Sequence, residues 1–235
     1  MRQKIAIDLS APAPSALFRI AGCLQNGGIA AIPTDTCYGL AVNPFHATSV
    51  DRLFVLKGRD RSKPIPLLIS HMTMLRPLVR EVTPLAEQIM TRCWPGPLTL
   101  IFTASQAVPP ILTGGTHTIG LRLPNSLFLT GLIEVMGCPI TATSANRSGA
   151  SPLPSAEAIE AVLGGSIDLI VGGGECGGLP STVLDVRSSR IRVIREGALA
   201  LSTFARVMGW GPDWAESFSL VRGSNHGQSP SEGAL

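Results

Sequence analysis

Three short runs concentrate polar chemistry in an otherwise apolar chain: Pro33-Thr34-Asp35-Thr36, Lys57-Gly58-Arg59 and Ser144-Ala145-Asn146. The first follows the apolar run Ile29–Ile32, so hydroxyl, carboxylate and hydroxyl fall at the tip of a predicted strand. Strand tips are where open α/β sheets hold ligands. Gly39, just beyond, lets backbone approach a ligand closely. The competing reading is an ordinary turn in which Thr34 and Asp35 bond their own backbone. The second run extends through Asp60-Arg61-Ser62-Lys63, giving four cations among residues 57–63 after a predicted helix. A guanidinium grips phosphate with two parallel bonds and an ammonium adds a mobile point charge, which suits ATP or pyrophosphate. A solvated basic turn at a helix C-terminus would have the same composition. No Walker A run occurs, and no G-x-G-x-x-G follows a strand, so the common nucleotide folds are disfavoured.

The third run lies in Thr141-Ala142-Thr143-Ser144-Ala145-Asn146-Arg147-Ser148-Gly149, where small residues and hydroxyls could meet a phosphate or an adenine. Thr118-Ile119-Gly120-Leu121-Arg122-Leu123-Pro124 sets Arg122 inside an apolar strand. A charge there needs a partner, so Arg122 is either a carboxylate receiver or half of a structural ion pair. Ser181-Thr182-Val183-Leu184-Asp185 and Arg195-Glu196-Gly197 complete the candidates, with Asp185 open to a plain turn-forming role. Gly172-Gly173-Gly174 sits between strands rather than opening a helix and reads as a flexible loop. Cys37 beside the first run has no histidine near it in sequence to activate it as a nucleophile.

The elements that must position these residues follow from pattern. Helices are expected at Pro14–Gln25, at Thr48–Lys57 with a Thr/Ser cap, from Pro84 (capped by Thr83) to Cys93, at Ser126–Met136, Ser155–Leu163 and Leu201–Met208. Strands are expected at Ile29–Ile32, Leu67–Ser70, Leu98–Thr103, Thr118–Leu123, Ile140–Thr143, Leu169–Val171, Thr182–Val186 and Ile191–Ile194. The mixture predicts a single α/β domain with a large twisted sheet, partly antiparallel because the connections within 169–194 are too short for helical crossovers. The domain is expected over 12–208, with a flexible tail over 211–235 rich in Gly, Ser and Pro.

Bulk composition sets the outer limits. The 235 residues are 45% hydrophobic and 15% charged, which excludes a disordered chain. A net charge of +3 allows an anionic small ligand or RNA but demands neither. The five cysteines form no C-x-x-C pair and the four histidines are scattered, so no metal site is expected and the thiols read as buried residues of a reducing compartment. Residues 93–121 carry no charge, yet prolines 95, 97, 109 and 110 interrupt them, so no membrane span is expected. The N-terminus lacks a signal-peptide pattern, and the expectation is a cytoplasmic protein.

Eight segments in order resemble the YrdC-like (TsaC) threonylcarbamoyl-AMP synthase family: PTDTCYGL at 33–40, KGR at 57–59, KPIPLLIS at 63–70, WPGPLTLIF at 94–102, TIGLRLP at 118–124, TSANRSGASP at 143–152, STVLDV at 181–186 and REGA at 195–198. The resemblance covers about residues 12–208 and corresponds to the family's short form, without an appended domain. It implies a YrdC-like fold with a mixed parallel and antiparallel sheet, flanking helices and a concave basic face. It also implies synthesis of threonylcarbamoyl-AMP and pyrophosphate from L-threonine, bicarbonate and ATP. The product would pass to tRNA threonylcarbamoyl-transferase proteins that modify adenosine next to the anticodon. Carried over by position, Thr34, Thr36, Arg122 and Ser181 would serve threonine. Arg59, Lys63, Thr118, Ser144, Asn146, Ser151 and Arg195 would serve ATP, with Lys57 and Arg59 the catalytic cations. Mg2+ would arrive with the nucleotide. Some relatives place a histidine against threonine, where this chain has Leu68 or Ser70, and His71 is only nearby. The alternative from another class is a non-catalytic double-stranded RNA or tRNA-binding protein using the same basic concavity. A third, a carbamoyl-adenylate enzyme like the hydrogenase maturation proteins, would carry further domains.

Overall fold

The computed structural model describes residues 3–176 and 178–220. Among these described residues, twelve strands divide between two sheets. In chain order they are β1 Gln3–Ala6, β2 Ala30–Ile32, β3 Gly39–Ala41, β4 Leu67–Leu68, β5 Leu98–Thr103, β6 Thr118–Arg122, β7 Ile140–Thr141, β8 Thr143–Ser144, β9 Leu169–Gly172, β10 Thr182–Asp185, β11 Ile191–Arg195 and β12 Phe218–Leu220. The five-stranded sheet runs β1-β9-β2-β3-β8 and the seven-stranded sheet β12-β11-β10-β5-β6-β4-β7. Both mix parallel and antiparallel pairs: β2 lies parallel to β9 and antiparallel to β3, while β5 lies parallel to β10 and antiparallel to β6. The mixed α/β class read from the sequence therefore holds, with the strands shared between two sheets.

Among the described residues, seven α-helices flank them: α1 Pro14–Gln25, α2 Ala47–Lys57, α3 Pro84–Cys93, α4 Pro110–Thr113, α5 Leu127–Met136, α6 Ala156–Leu163 and α7 Leu201–Met208. Thr83, Ser126 and Ser155 each accept a backbone N–H at the start of the helix they precede, satisfying a donor that has no partner within the helix. α2 differs from expectation. His46 caps it through Nδ1, because the helix opens one residue before Thr48, and its C-cap Gly58 takes the left-handed conformation that reverses the chain into Arg59.

The core has two parts. Ile20 and Leu24 of α1 and Phe128, Leu129 and Leu132 of α5 pack with Ile32, Leu169 and Val171 of the five-stranded sheet, all essentially without solvent exposure. Each such side chain contributes about 1.5–3 kcal/mol by leaving water. The larger part joins Leu53, Ile65, Leu67, Leu98, Leu100, Phe102, Ile119, Leu121 and Phe204.

Two departures bear on the site. The expected strand Ile140–Thr143 splits at Ala142, whose N–H bonds Pro66 O, so β7 joins one sheet and β8 the other. The expected strand Leu67–Ser70 shortens to Leu67–Leu68. At the ends, β1 pairs with β9, and residues 212–220 form a 3-10 turn and β12 beside β11. Residues 221–235, where the expected tail continues, lie outside the described residues. Trp210 and Phe218 stack around Phe204 with ring centroids 5.5 and 5.9 Å from it.

This closure predicts that Phe218→Ala lowers unfolding free energy by about 3 kcal/mol, as for other buried phenylalanines. Chemical denaturation measures it. An unchanged midpoint would make the segment a loosely attached extension.

Candidate active site

A cleft of about 320 Å³ opens between the two sheets, of a size suited to a small ligand. Side-chain alternation along strands builds its floor. Thr99 and Ile101 of β5, Thr118, Gly120 and Arg122 of β6, Val183 of β10 and Leu68 of β4 all line it. These are every second residue, the set that faces one side of a pleated sheet. Thr34, Thr36 and Cys37 form one wall with Thr143 and Ser144, and Arg59, Pro180, Ser181 and Arg195 approach from the other elements. Among the described residues, the charged side chains lining the cleft are three arginines, with no lining carboxylate.

The Pro33–Tyr38 segment is held by its own hydroxyls. Thr34 Oγ1 accepts the N–H groups of Thr36 and Cys37 at 3.1 and 3.2 Å and donates to Cys37 O at 2.6 Å. The turn bonds are thus made by a residue that also lines the cleft. Arg122, only 4% exposed, donates from Nη2 to Asp35 Oδ1 at 2.8 Å and from Nη1 to Thr36 Oγ1 at 3.0 Å. Its Nε is buried without a partner among the described residues. Burial pushes its pKa down and Asp35 opposes that shift, so the ion pair keeps the guanidinium charged.

The basic run behaves differently at each cation. Lys57 is 2% exposed and does not line the cleft. Its ammonium donates to Ser144 O at 2.5 Å, Asn146 O at 2.9 Å and Asn146 Oδ1 at 2.7 Å. Its three donors are thus spent on the 144–146 loop rather than turned toward the cleft. Arg59 does line the cleft, steadied by Nη2 on Pro64 O at 2.8 Å. Lys63 is exposed and outside the lining set, although its neighbour Pro64 belongs to it.

Ser144 lines the cleft and donates to Asn146 Oδ1 at 2.8 Å. Asn146 itself is turned inward: Oδ1 takes Ser144 and Lys57, and Nδ2 bonds Ala150 O. Ser151 is exposed and does not line the cleft. Thr118 and Ser181, both 8% exposed, line it. Arg195 reaches Ser181 O from Nε and Nη2 at 3.2 and 2.8 Å. Gly197 packs so tightly on Pro180 O that a Cβ would overlap it, which fixes the approach of this segment. Burial raises the Cys37 thiol pKa, unfavourable for a thiolate nucleophile. Of the positions set against the relatives' histidine, Leu68 lines the cleft opposite Arg122 in the β4–β6 register. Ser70 bonds Met74 Sδ, and His71 accepts Thr73 N–H at the start of a 3-10 turn.

Sequence reasoning missed Thr99, Ile101, Gly120 as a lining position, Val183 and Ile194. The available signal was polar or small residues recurring every second position in Leu98–Thr103 and Thr118–Arg122. At Gly120 a Cβ would meet Thr99 Cγ2 at 3.2 Å and Pro66 Cβ at 3.3 Å, so glycine lets these two lining residues pack closely over the strand. Among the described residues no group of three or more His, Cys, Asp or Glu side chains converges on a metal position. Nor is any helix among them long and apolar enough to cross a membrane.

With this geometry in place, comparison with known proteins is informative. The Sua5/YciO/YrdC family model, described as telomere recombination, matches residues 22–197. This chain belongs to that family. A threonylcarbamoyl-AMP synthase of Pyrococcus abyssi is 37% identical over 190 residues, covering 80% of this chain and 56% of its own length. A Thiobacillus denitrificans protein of the same name is 35% identical over 168 residues, covering 72% and 89%. The crystal structure of P. abyssi Sua5 complexed with L-threonine aligns with a TM-score of 0.82 at 34% identity, over 89% of this chain and 61% of that one. E. coli YciO aligns at 0.81 with 26% identity, over 87% and 100%. The chain thus spans little more than half of the P. abyssi protein and nearly all of shorter family members.

The Lys57 anchor is testable. Lys57→Met removes three hydrogen bonds, leaves Asn146 O without a donor, and should cost about 3 kcal/mol of stability. Burial lowers the folded pKa of Lys57 from 10.5 to about 8. Between those values the unfolded chain binds the extra proton, so the pH-dependent part of this residue's contribution grows as pH rises and is absent below about 8. Urea denaturation at pH 7.5, 8.5 and 9.5 should show the wild-type margin over the variant widening.

Proposed function

We propose that this protein is an L-threonylcarbamoyladenylate synthase, forming threonylcarbamoyl-AMP and pyrophosphate from L-threonine, bicarbonate and ATP. The observation that carries the reading is the cleft itself. Its charged lining is three arginines, set among hydroxyls, in a family whose matching relatives bear this activity in their names. Such a surface suits a polyphosphate together with a carboxylate. The RNA-binding alternative is not favoured, since those relatives are named as synthases.

Arg59 and Arg195 would face the phosphates of ATP, with Thr118 and Ser144 supplying hydroxyls to the nucleotide. Lys57 and Asn146 would act indirectly, holding the Ser144 loop in place, and Lys63 and Ser151 would reach ATP only from outside the lining set. Thr34, Thr36, Arg122 and Ser181 would hold L-threonine, Arg122 receiving its carboxylate. Bicarbonate and the threonine amine would give a carbamate, the new N–C bond forming as a C–O bond of bicarbonate breaks and its oxygen leaves as water. One carbamate oxygen then attacks the α-phosphorus, the new O–P bond forms as the bond to the bridging α,β-oxygen breaks, and pyrophosphate leaves with that electron pair. Catalysis here is positioning plus charge stabilisation. The Cys37 thiol and Tyr38 phenol are both pushed up by burial, so neither is a base for the amine proton. A substrate phosphate is the available acceptor. The lining residues offer no carboxylate for Mg2+, so such an ion would come held by the nucleotide, offsetting phosphate charge. The product would be consumed by tRNA threonylcarbamoyl-transferase proteins. A cytoplasmic setting fits five cysteines that are all free.

Mass spectrometry of a mixture of protein, ATP, bicarbonate and threonine should reveal threonylcarbamoyl-AMP, absent when threonine is omitted. Arg59→Ala should lower threonine-dependent pyrophosphate release by about two orders of magnitude, the scale for losing one charge-stabilising donor. Undiminished release would remove Arg59 from the phosphate site.

A further inference from the structure

Thr99 is absent from the assignments above, yet it occupies the middle of the cleft floor. It is 5% exposed, lines the cleft, and its Oγ1 lies 2.8 Å from Ser181 Oγ. The β10–β5 register sets it opposite Val183, which in turn faces Arg195 of β11. On the other side, Leu100 pairs with Leu121 in antiparallel β5–β6, which brings Thr99 opposite Arg122. One row therefore crosses the sheet as Arg195, Val183, Thr99, Arg122 and Leu68. The backbones of Arg195 and Arg122 stand three strand spacings apart on it, about 14 Å.

A hydroxyl pair bonded to itself uses one of its two protons. Thr99 Oγ1 and Ser181 Oγ have no other side-chain hydrogen bond among the described residues, so one O–H donor remains. Thr99 Cγ2 packs closely beside Gly120, where a Cβ would come within 3.2 Å of it, and both residues line the cleft. A spare donor thus sits at the cleft lining, one strand from a cation suited to a carboxylate and two from a cation suited to phosphate.

We infer that the Thr99–Ser181 hydroxyl pair holds the carbamate of the amino-acid substrate, with Thr99 a further substrate-positioning residue. The inference rests on the proposed function and deepens it. If Arg122 takes the α-carboxylate and Arg195 the phosphates, the group between them is the carboxylated amine. The pair donates its spare proton to the carbamate oxygen that does not attack, leaving the other oxygen directed at the α-phosphorus. No bond in Thr99 or Ser181 is made or broken, so both act by orientation.

Thr99→Val keeps the shape and removes the hydroxyl, and Thr99→Ser restores it. Initial rates of threonylcarbamoyl-AMP formation should be measured against bicarbonate, threonine and ATP in turn. For Thr99→Val the apparent KM for bicarbonate should rise about tenfold or more, the scale of one hydrogen bond to a charged group. KM for threonine and ATP should move much less, and Thr99→Ser should recover most of the loss. Binding of ATP by calorimetry and the thermal midpoint check that Thr99→Val is folded with its nucleotide site intact. If the bicarbonate dependence is unchanged, or if the defect falls instead on threonine, the assignment is overturned. A failure of the wild-type protein to make threonylcarbamoyl-AMP at all would overturn the proposed function instead.

Discussion

Arg122 carries a full positive charge to a place only 4% exposed, and the geometry of the cleft follows from what keeps it there. A lone buried guanidinium would be prohibitive, so Asp35 faces it at 2.8 Å with its own carboxylate 12% exposed. Asp35 is held in turn by the Asn125 N–H at 3.1 Å. The pair joins the loop after β2, in one sheet, to the end of β6, in the other. Buried ion pairs add little net stability, because desolvation of both partners offsets their attraction. What this one supplies is registration: the Thr34–Thr36 hydroxyls cannot drift from the strand floor without stranding a charge.

The opposite wall follows the same logic with Lys57. The chain leaves the seven-stranded sheet at β7, passes Ala142 and enters the five-stranded sheet at β8, so the 143–149 loop must cross the cleft edge. Carbonyls turned inward by that crossing need donors, and the buried ammonium supplies three. The cation of this basic run that lines the cleft is then Arg59, one turn-forming glycine away from the anchored lysine. Two cations at adjacent places in a short basic run thus do opposite work, one holding the wall and one lining it.

Much of the scaffold was legible in the residues themselves. Helix starts at Pro14, Thr83-Pro84, Ser126 and Ser155 are written in local chemistry, since caps and proline at the first turn act within a few residues. β3 and β12 were not legible as strands: Gly39–Ala41 and Phe218–Leu220 are three residues each and acquire their hydrogen bonds only from distant partners. The helix cap at His46 escaped for a similar reason, because imidazole caps depend on its packing against Gly27 rather than on sequence pattern.

The first three polar runs were determined by the sequence as chemical inventory: hydroxyls at a strand tip, cations after a helix, and a hydroxyl loop. The tertiary structure decided which members face the cleft. Arg59, Thr36 and Ser144 line it, whereas Lys57 and Asn146 turn toward each other and Lys63 and Ser151 stay outside. It also brought in Thr99 and Gly120, which in sequence look like ordinary members of apolar strands. The physical reason is that residue type limits what a side chain can do, but the face it presents depends on strand register and sheet membership. Both are set by hydrogen bonds between segments that lie far apart in the chain.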